Sequence, residues 1–374
     1  MLKNMTYIHT QFTIIHNFDN YSISKLMKEK LLKHILESRK SKADSPTLSE
    51  MGITTDLLNE VYEWANSMAS YGELASYIPE LTKVDASKSA IVIGDLNGNI
   101  LAVGNGIEVK VSIQSVIKPF LYIYALEKGV PANQISFIEA TALKFNTDAV
   151  MQPDQLKNIP GHPLNNAGAI SSAGSIADFE DFLNFMRMLT DNERLDVMVN
   201  VFESEMQTNS NNRAIARRLA ETGRFPNQNQ SDKALEHYTK ACAIGVTAYD
   251  ITKACLVLAN GGRKNGQQII KEDNVVRAIN AMNTYGLYEH TGEISLLAAG
   301  SRALSCKSGV GGLIINVDPG RGAFCTYSPK LDSAGNSVFG KYALIPLNNL
   351  LAAPNGMRLS SEEIIRSLST ERSN

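Results

Sequence analysis

Apolar residues recur at helical spacing over 57–69, which predicts an amphipathic helix there. Tyr77-Ile78-Pro79 breaks that pattern and predicts a loop. Two apolar runs follow, Ala90-Ile91-Val92-Ile93 and Asn99-Ile100-Leu101-Ala102-Val103. Asp95-Leu96-Asn97-Gly98 between them supplies turn chemistry, so the pair predicts an antiparallel hairpin. From Ser115 to about Tyr288 the pattern is mostly helical, with periodic stretches at 179–189, 212–220 and 249–258. Gly261-Gly262 ends the last of these. Strand-like runs return at 312–317 and 323–327, around a Pro319-Gly320-Arg321-Gly322 turn. Strands at both ends with helices between them predict an α+β fold: an antiparallel sheet built from both ends of the body, flanked by helices, with an inserted helical subdomain.

The predicted body runs over 51–350, with an α/β part at 51–114 and 289–350 and a helical part at 115–288. Residues 1–50 form a separate extension. Leu26, Leu31, Leu32, Ile35 and Leu36 space an amphipathic helix over 24–39, and a polar linker follows at 38–46. Residues 351–374 form a C-terminal tail. No internal repeat or long low-complexity tract interrupts this plan.

Composition narrows the class. The chain has 374 residues, 44% hydrophobic and 20% charged, which is ordinary for a folded domain. The formal net charge of -2 supplies no broad basic field for nucleic acid. No apolar run reaches the length of a membrane helix. The N-terminus is too broken by polar residues to read as a secretory signal, which points to a cytoplasmic setting. Cys242, Cys255, Cys306 and Cys325 are widely spaced among small or apolar residues, so buried thiols are expected rather than a disulfide framework. The six histidines do not cluster with carboxylates, and neither a metal nor another cofactor is expected.

Candidate chemistry sits at Ser112-Ile113-Gln114-Ser115-Val116-Ile117-Lys118, at the mouth of an apolar helix. One helical turn separates Ser115 from Lys118, so hydroxyl and amine can share a face. Pro119 fits only near a helix start, which puts Ser115 in or near the first turn. A hydroxyl beside a desolvated amine is a covalent catalyst, with the amine taking the proton. Burial, or a second cation such as Lys307, lowers the amine's pKa toward that role. A chain of this size carries about one or two Ser-x-x-Lys pairs by chance, and Ser22 with Lys25 is another. The plain alternative is an N-capping Ser115 with a solvated Lys118. Lys307-Ser308-Gly309, opening a strand far downstream, favours catalysis, because a Lys-Ser/Thr-Gly strand facing Ser-x-x-Lys is an active-serine arrangement. The N–H groups of Ser115 and Val310 are the expected oxyanion donors.

These residues resemble the serine-dependent glutaminases, which share the β-lactamase and transpeptidase-like fold. The matching blocks are 113–119, Asn166-Ala167-Gly168-Ala169-Ile170, Ser204-Glu205, Asn212-Arg213-Ala214-Ile215-Ala216 and Lys307-Ser308-Gly309-Val310. Tyr77-Ile78-Pro79, Gly286-Leu287-Tyr288 and 331–338 extend the match, in family order, over about 57–350. The resemblance implies hydrolysis of L-glutamine to L-glutamate and ammonia, with Ser115 as nucleophile, Lys118 as base and Tyr288 assisting proton transfer. It implies substrate contacts from Tyr77, Gln114, Asn166, Glu205, Asn212, Tyr238 and Val310. It also implies a homodimer or homotetramer.

Each of those positions has a plainer alternative. Asn166 can cap a helix, Glu205 and Asn212 at seven-residue spacing can share one solvated helix face, and the tyrosines can be packing residues. Three departures from the family pattern stand out. His162-Pro163-Leu164-Asn165-Asn166 replaces Asn-Pro-Met-x-Asn, Ala140-Thr141-Ala142 replaces Pro-Ser-Gly, and Asn209-Ser210-Asn211 replaces Gly-Asp-Arg. The alternatives in function are a β-lactamase-fold amidase or peptidase of other specificity, and a non-catalytic glutamine- or glutamate-binding protein.

Overall fold

The computed structural model describes residues 45–136, 160–292, 294 and 304–352. From Pro46 on they lie in one compact unit, Pro46–Asn374. The helix expected over 24–39, most of the linker that follows it and nearly all of the tail fall outside the described residues, as do Ala140-Thr141-Ala142.

Along the chain, α1 (Thr55–Met68) precedes β1 (Glu73–Leu74), β2 (Ala90–Asp95), β3 (Ile100–Val103) and β4 (Val111–Ser112). Then come α2 (Lys118–Glu127), α3 (Ala132–Ile135), α4 (Asn166–Ala173), α5 (Phe179–Thr190), β5 (Asp196–Val197), α6 (Val199–Thr208), α7 (Ser210–Glu221) and α8 (Gln228–Cys242). After β6 (Ile244–Val246) and α9 (Ala248–Ala259), the β7–β8 hairpin (Arg263–Lys264, Gln267–Gln268) leads to α10 (Glu272–Tyr285). Strands β9 (Cys306–Ser308), β10 (Leu313–Asp318), β11 (Gly322–Tyr327) and β12 (Lys330–Leu331) and helix α11 (Val338–Ala352) complete the described elements.

The main sheet has the order β3-β2-β11-β10-β9 and is antiparallel throughout. Its strands come from both ends of the body, as the hydrophobic pattern predicts. Side chains alternate across it. Ile91, Ile93, Ile314 and Phe324 pack with Leu58, Val61 and Ala65 of α1 and with Phe339 and Leu344 of α11. Ala90, Val92, Ile315 and Cys325 face the other way and join Ile251, Ala254, Cys255 and Leu258 of α9 in the larger core. With both faces covered, β2, β10 and β11 are buried along their whole length, which is why their sequences read as continuous apolar runs.

The helical side is centred on α2, which is buried on nearly every side and packs against α4 and α10. It also holds an element that the hydrophobic pattern does not reveal. A small antiparallel sheet, β4-β6-β5, pairs Val111 with Val246 and Ser112 with Gly245. The Ile113 N–H continues this pairing onto the Ile244 carbonyl at 2.9 Å. Strands of two or three residues carry no readable periodicity, yet this one fixes the chain up to the residue before the serine turn.

The predicted hairpin forms, with Gly98 at φ +89° and the Asp95 N–H on the Asn99 carbonyl at 3.0 Å. Asp95 is buried and accepts from the N–H groups of Leu48 (2.7 Å), Asn97 (2.8 Å) and Asn99 (3.1 Å) and from the Asn99 side chain (2.8 Å). It thereby staples the segment before α1 to the hairpin. Removing the carboxylate leaves the buried Leu48 N–H without an acceptor and frees the partly buried turn donors of Asn97 and Asn99. Asp95→Ala is therefore expected to lower unfolding stability by about 3 kcal/mol in urea titration, well beyond the usual effect of a turn residue. A loss under about 0.5 kcal/mol contradicts the staple.

Candidate functional site

Ser115 lies in a short 3-10 turn, Gln114–Ile117, that runs directly into α2. The Lys118 N–H closes the turn on the Ser115 carbonyl, and Pro119 sits in the first turn of α2, as the sequence requires. The turn begins with Gln114 at φ +49°, a left-handed conformation that non-glycine residues rarely adopt. Ser115 is half-buried, while Gln114, Val116, Ile117 and Lys118 are buried around it.

The glycine-rich loop after β9 lies against this turn. A methyl group on Gly309 would sit 3.0 to 3.2 Å from the Ile113 carbonyl and the N–H groups of Val116 and Ser115. One on Gly311 would meet the Ser112 carbonyl at 2.3 Å, and one on Gly286 the Cys306 carbonyl at 1.8 Å. Only glycine allows backbone to approach so closely. The two stretches singled out in the sequence, nearly two hundred residues apart, thus meet at Ser115.

Lys118 is 2% exposed. Its Nζ donates to Asn166 Oδ1 at 2.7 Å and stands 6.0 Å from the centre of the Tyr238 ring. The Asn166 side chain donates in turn to Asn212 Oδ1 at 2.7 Å, and the Tyr238 hydroxyl donates to Asn166 Oδ1 at 3.4 Å. Burial lowers the Lys118 amine to about 8, against smaller opposing effects from Cys242 and Glu205. Lys307 contributes differently from the sequence expectation. Burial is what depresses Lys118, and the charge of Lys118 in turn helps to push Lys307 well below the usual lysine range.

Asn166 does not cap its helix. Asn165 does, through Oδ1 on the Gly168 N–H at 2.7 Å, which leaves Asn166 at the first helical position for Lys118. Glu205 and Asn212 do not share one helix face either. Their helices part at Asn209, where ψ is +37°, so Glu205 closes α6 and Asn212 opens α7. Glu205 is 6% exposed and accepts from the Gln114 amide at 3.3 Å. Burial raises its carboxyl to about 7, against the Gln114 hydrogen bond and the Lys118 charge. Tyr77 is 60% exposed overall. Its hydroxyl is nonetheless desolvated, in electrostatic reach of Tyr288 and Glu205, and its pKa is raised. Cys242, at the end of α8, is a buried thiol hydrogen-bonded to Tyr238, a neighbour that the sequence did not single out for the site.

On the opposite side, Tyr288 adopts φ +53°, the second left-handed non-glycine residue at the site. Burial raises the pKa of its phenol, against the nearby Ser115 and Ser308 hydroxyls, which lower it. Lys307 is fully buried and donates to the carbonyls of Ser308 (2.7 Å) and Gly286 (3.3 Å), with Nζ 4.5 Å from the Tyr288 ring centre. Val310 packs near Gly335 in the loop that follows β12. His162 stacks on Tyr285 with ring centres 4.0 Å apart, and its Nδ1 accepts the Leu164 N–H at 3.2 Å. Burial and the nearby charges of Lys118 and Lys307 hold it neutral, with a pKa lowered to about 3. Among the described residues, no cluster of His, Cys, Asp and Glu is arranged to hold a metal.

The arrangement provides a half-buried hydroxyl one helical turn from a weakly basic amine, with closely laid backbone beside it and a buried carboxylate and several amides nearby. Comparison with known proteins gives this geometry its context. The family model described as Glutaminase matches residues 72–353. A glutaminase of Colwellia psychrerythraea is 33% identical over 301 residues, covering 78% of this chain and 94% of that protein. Among solved structures, the probable glutaminase ybaS superposes with a TM-score of 0.70 at 27% identity, covering 81% of this chain and 99% of its own. A probable glutaminase from Bacillus subtilis complexed with 6-diazo-5-oxo-L-norleucine superposes with a TM-score of 0.67 at 27% identity, covering 79% and 94%. With a family model covering most of the chain and a relative above 30% identity along nearly its full length, this protein belongs to the glutaminase family.

Proposed function

We propose that this protein hydrolyses L-glutamine to L-glutamate and ammonia through a glutamyl ester on Ser115. The observation that carries the reading is the buried Lys118 amine one turn from Ser115, with the Gly309 backbone laid over the Ser115 N–H. In this reading Ser115 Oγ attacks the side-chain amide carbon while its proton passes to the neutral Lys118 amine. The carbonyl oxygen takes the electron pair and is held by the N–H groups of Ser115 and Val310. As the tetrahedral centre collapses, Lys118 gives its proton to the leaving nitrogen and ammonia departs. Water then attacks the ester carbon while Lys118 accepts its proton; as that second tetrahedral centre collapses, the bond to Ser115 Oγ breaks, Lys118 returns the proton to Ser115, and glutamate is released.

Substrate recognition follows from charge. The buried Glu205 carboxylate complements the α-ammonium group, and Gln114 keeps it oriented. Asn166, Asn212, Tyr77 and Tyr238 offer neutral donors for the α-carboxylate, and Tyr288 assists the proton movements beside Ser115. No helix among the described residues is long and apolar enough to cross a membrane. The family resemblance adds a cytoplasmic setting and a homo-oligomer of two or four copies to the proposal.

Ser115→Ala is expected to lower ammonium release from L-glutamine by about 10⁴-fold or more while leaving the thermal midpoint nearly unchanged. Near-full activity in that variant rejects the reading, and glutamine-induced thermal stabilisation of the unaltered protein without ammonium release supports a binding protein instead.

Glu205→Gln is expected to reduce kcat/KM by about 10²-fold, mostly through KM, because the substrate ammonium loses its counter-charge. An unchanged KM overturns that role.

The carboxyl near 7 works only when ionised, and the amine near 8 works only when neutral, so both require pH above their values. The rate profile should therefore climb as pH rises through about 7 to 8, and Lys118→Arg should be inactive at every pH. A flat profile from about 6 to 9 speaks against Lys118 as the base.

A further inference from the structure

Asn336 is fully buried in the loop between β12 and α11 and touches nothing that the proposed mechanism already uses except through Ser308. Its Nδ2 donates to the Leu287 carbonyl at 3.3 Å. A carbonyl oxygen can only accept, so the amide nitrogen must face it and the amide oxygen must face the other way. That oxygen lies 2.6 Å from Ser308 Oγ and takes the Ser308 proton. The Ser308 and Ser115 hydroxyls are both neighbours of the Tyr288 phenol.

The same amide also holds the backbone. Leu287 immediately precedes Tyr288, the residue strained at φ +53°, so the bond to the Leu287 carbonyl braces the turn that aims the phenol. Asn336 is itself fixed from outside the site. Asp332 accepts the Asn336 N–H at 3.0 Å and the Ala334 N–H at 3.0 Å, and the Asp332 N–H donates to the Asn336 carbonyl at 2.8 Å. Lys341 anchors Asp332 at 2.7 Å, with His290 at 3.8 Å.

We propose that Asn336 is a positioning residue for the amide hydrolysis: through the Leu287 carbonyl, with Ser308 as its second contact, it braces the turn that carries the Tyr288 phenol. The inference rests on the glutaminase reading and deepens it.

The test compares Asn336→Ala, Asn336→Asp and Ser308→Ala with the unaltered protein, reading steady-state kinetics on L-glutamine, thermal midpoint and a crystal structure of Asn336→Ala. Asn336→Ala and Ser308→Ala are expected to lower kcat by about 10²-fold with KM within about threefold, because substrate contacts are untouched while the reacting groups are misplaced. Asn336→Asp keeps the shape but sets an oxygen against the Leu287 carbonyl. Its kcat relative to the unaltered protein should be low at neutral pH and recover toward acid pH, where a protonated carboxyl again donates. The titratable groups around that position are Tyr288 and Lys307 on the site side and Asp332, Lys341 and His290 on the outer side. A merely structural role predicts loss of thermal midpoint with kcat per folded molecule preserved, and no such acid recovery. Asn336→Ala with kcat within about twofold overturns the proposal. So does a crystal structure of that variant with the 287–288 turn and the phenol unmoved. If Asn336→Ala does not fold, Ser308→Ala and the acid recovery of Asn336→Asp decide. Absence of ammonium release from the unaltered protein would reject the glutaminase reading instead, and the crystallographic comparison would still judge the bracing of Tyr288.

Discussion

Close backbone contact between the glycine loop after β9 and the turn carrying Ser115 is the constraint on which the site depends. At Gly309, Gly311 and Gly286 a single added carbon would collide with, or crowd, main-chain atoms. The loop comes from the distal end of the body and the turn from its middle. Their apposition requires the antiparallel sheet to be closed by strands from both ends and the turn to be held in place by β4 and β6. Sheet register and site geometry are therefore the same problem here: slipping β9 against β10 would move Lys307 and Ser308 away from Ser115.

Within that frame two buried amines serve different ends. Lys307 is committed to two carbonyls and an aromatic face, so it organises backbone around Tyr288. Lys118 meets the Asn166 amide and lies near the buried Glu205 carboxyl. Desolvation weakens its hold on a proton, which suits the role proposed for it, accepting and returning one in each half of the cycle. Glu205 shows the mirror effect, since burial makes its ionised form costly until a cation arrives. In the proposed reading the substrate ammonium group relieves that cost, so binding and charge balance come together.

Much of this was legible in the residues. Continuous apolar runs marked β2, β10 and β11 because both faces of the sheet are covered. Asp95-Leu96-Asn97-Gly98 marked the hairpin, and Pro119 placed Ser115 just ahead of α2. The strands β4 and β6 left no trace, since two or three residues give no period, although they hold the serine turn. Spacing misread two positions for a physical reason. Glu205 and Asn212, seven apart, suggest one helix, but the chain bends at Asn209 and sets them on two. Asn166 resembles a cap, but the residue before it does the capping. Cys242 and Asn336 could not have been placed from pattern alone, because each reaches the site only through tertiary contact.

Gln114 and Tyr288 stand on either side of the nucleophile in a backbone conformation that costs a side chain about 1 kcal/mol or more and glycine very little. Glycine at either point would make a more comfortable chain with an emptier cleft. On the proposed reading, the amide and phenol kept there mark where foldability has been yielded to chemistry, and optimising this protein for heat resistance at those two places would erode the activity proposed for it.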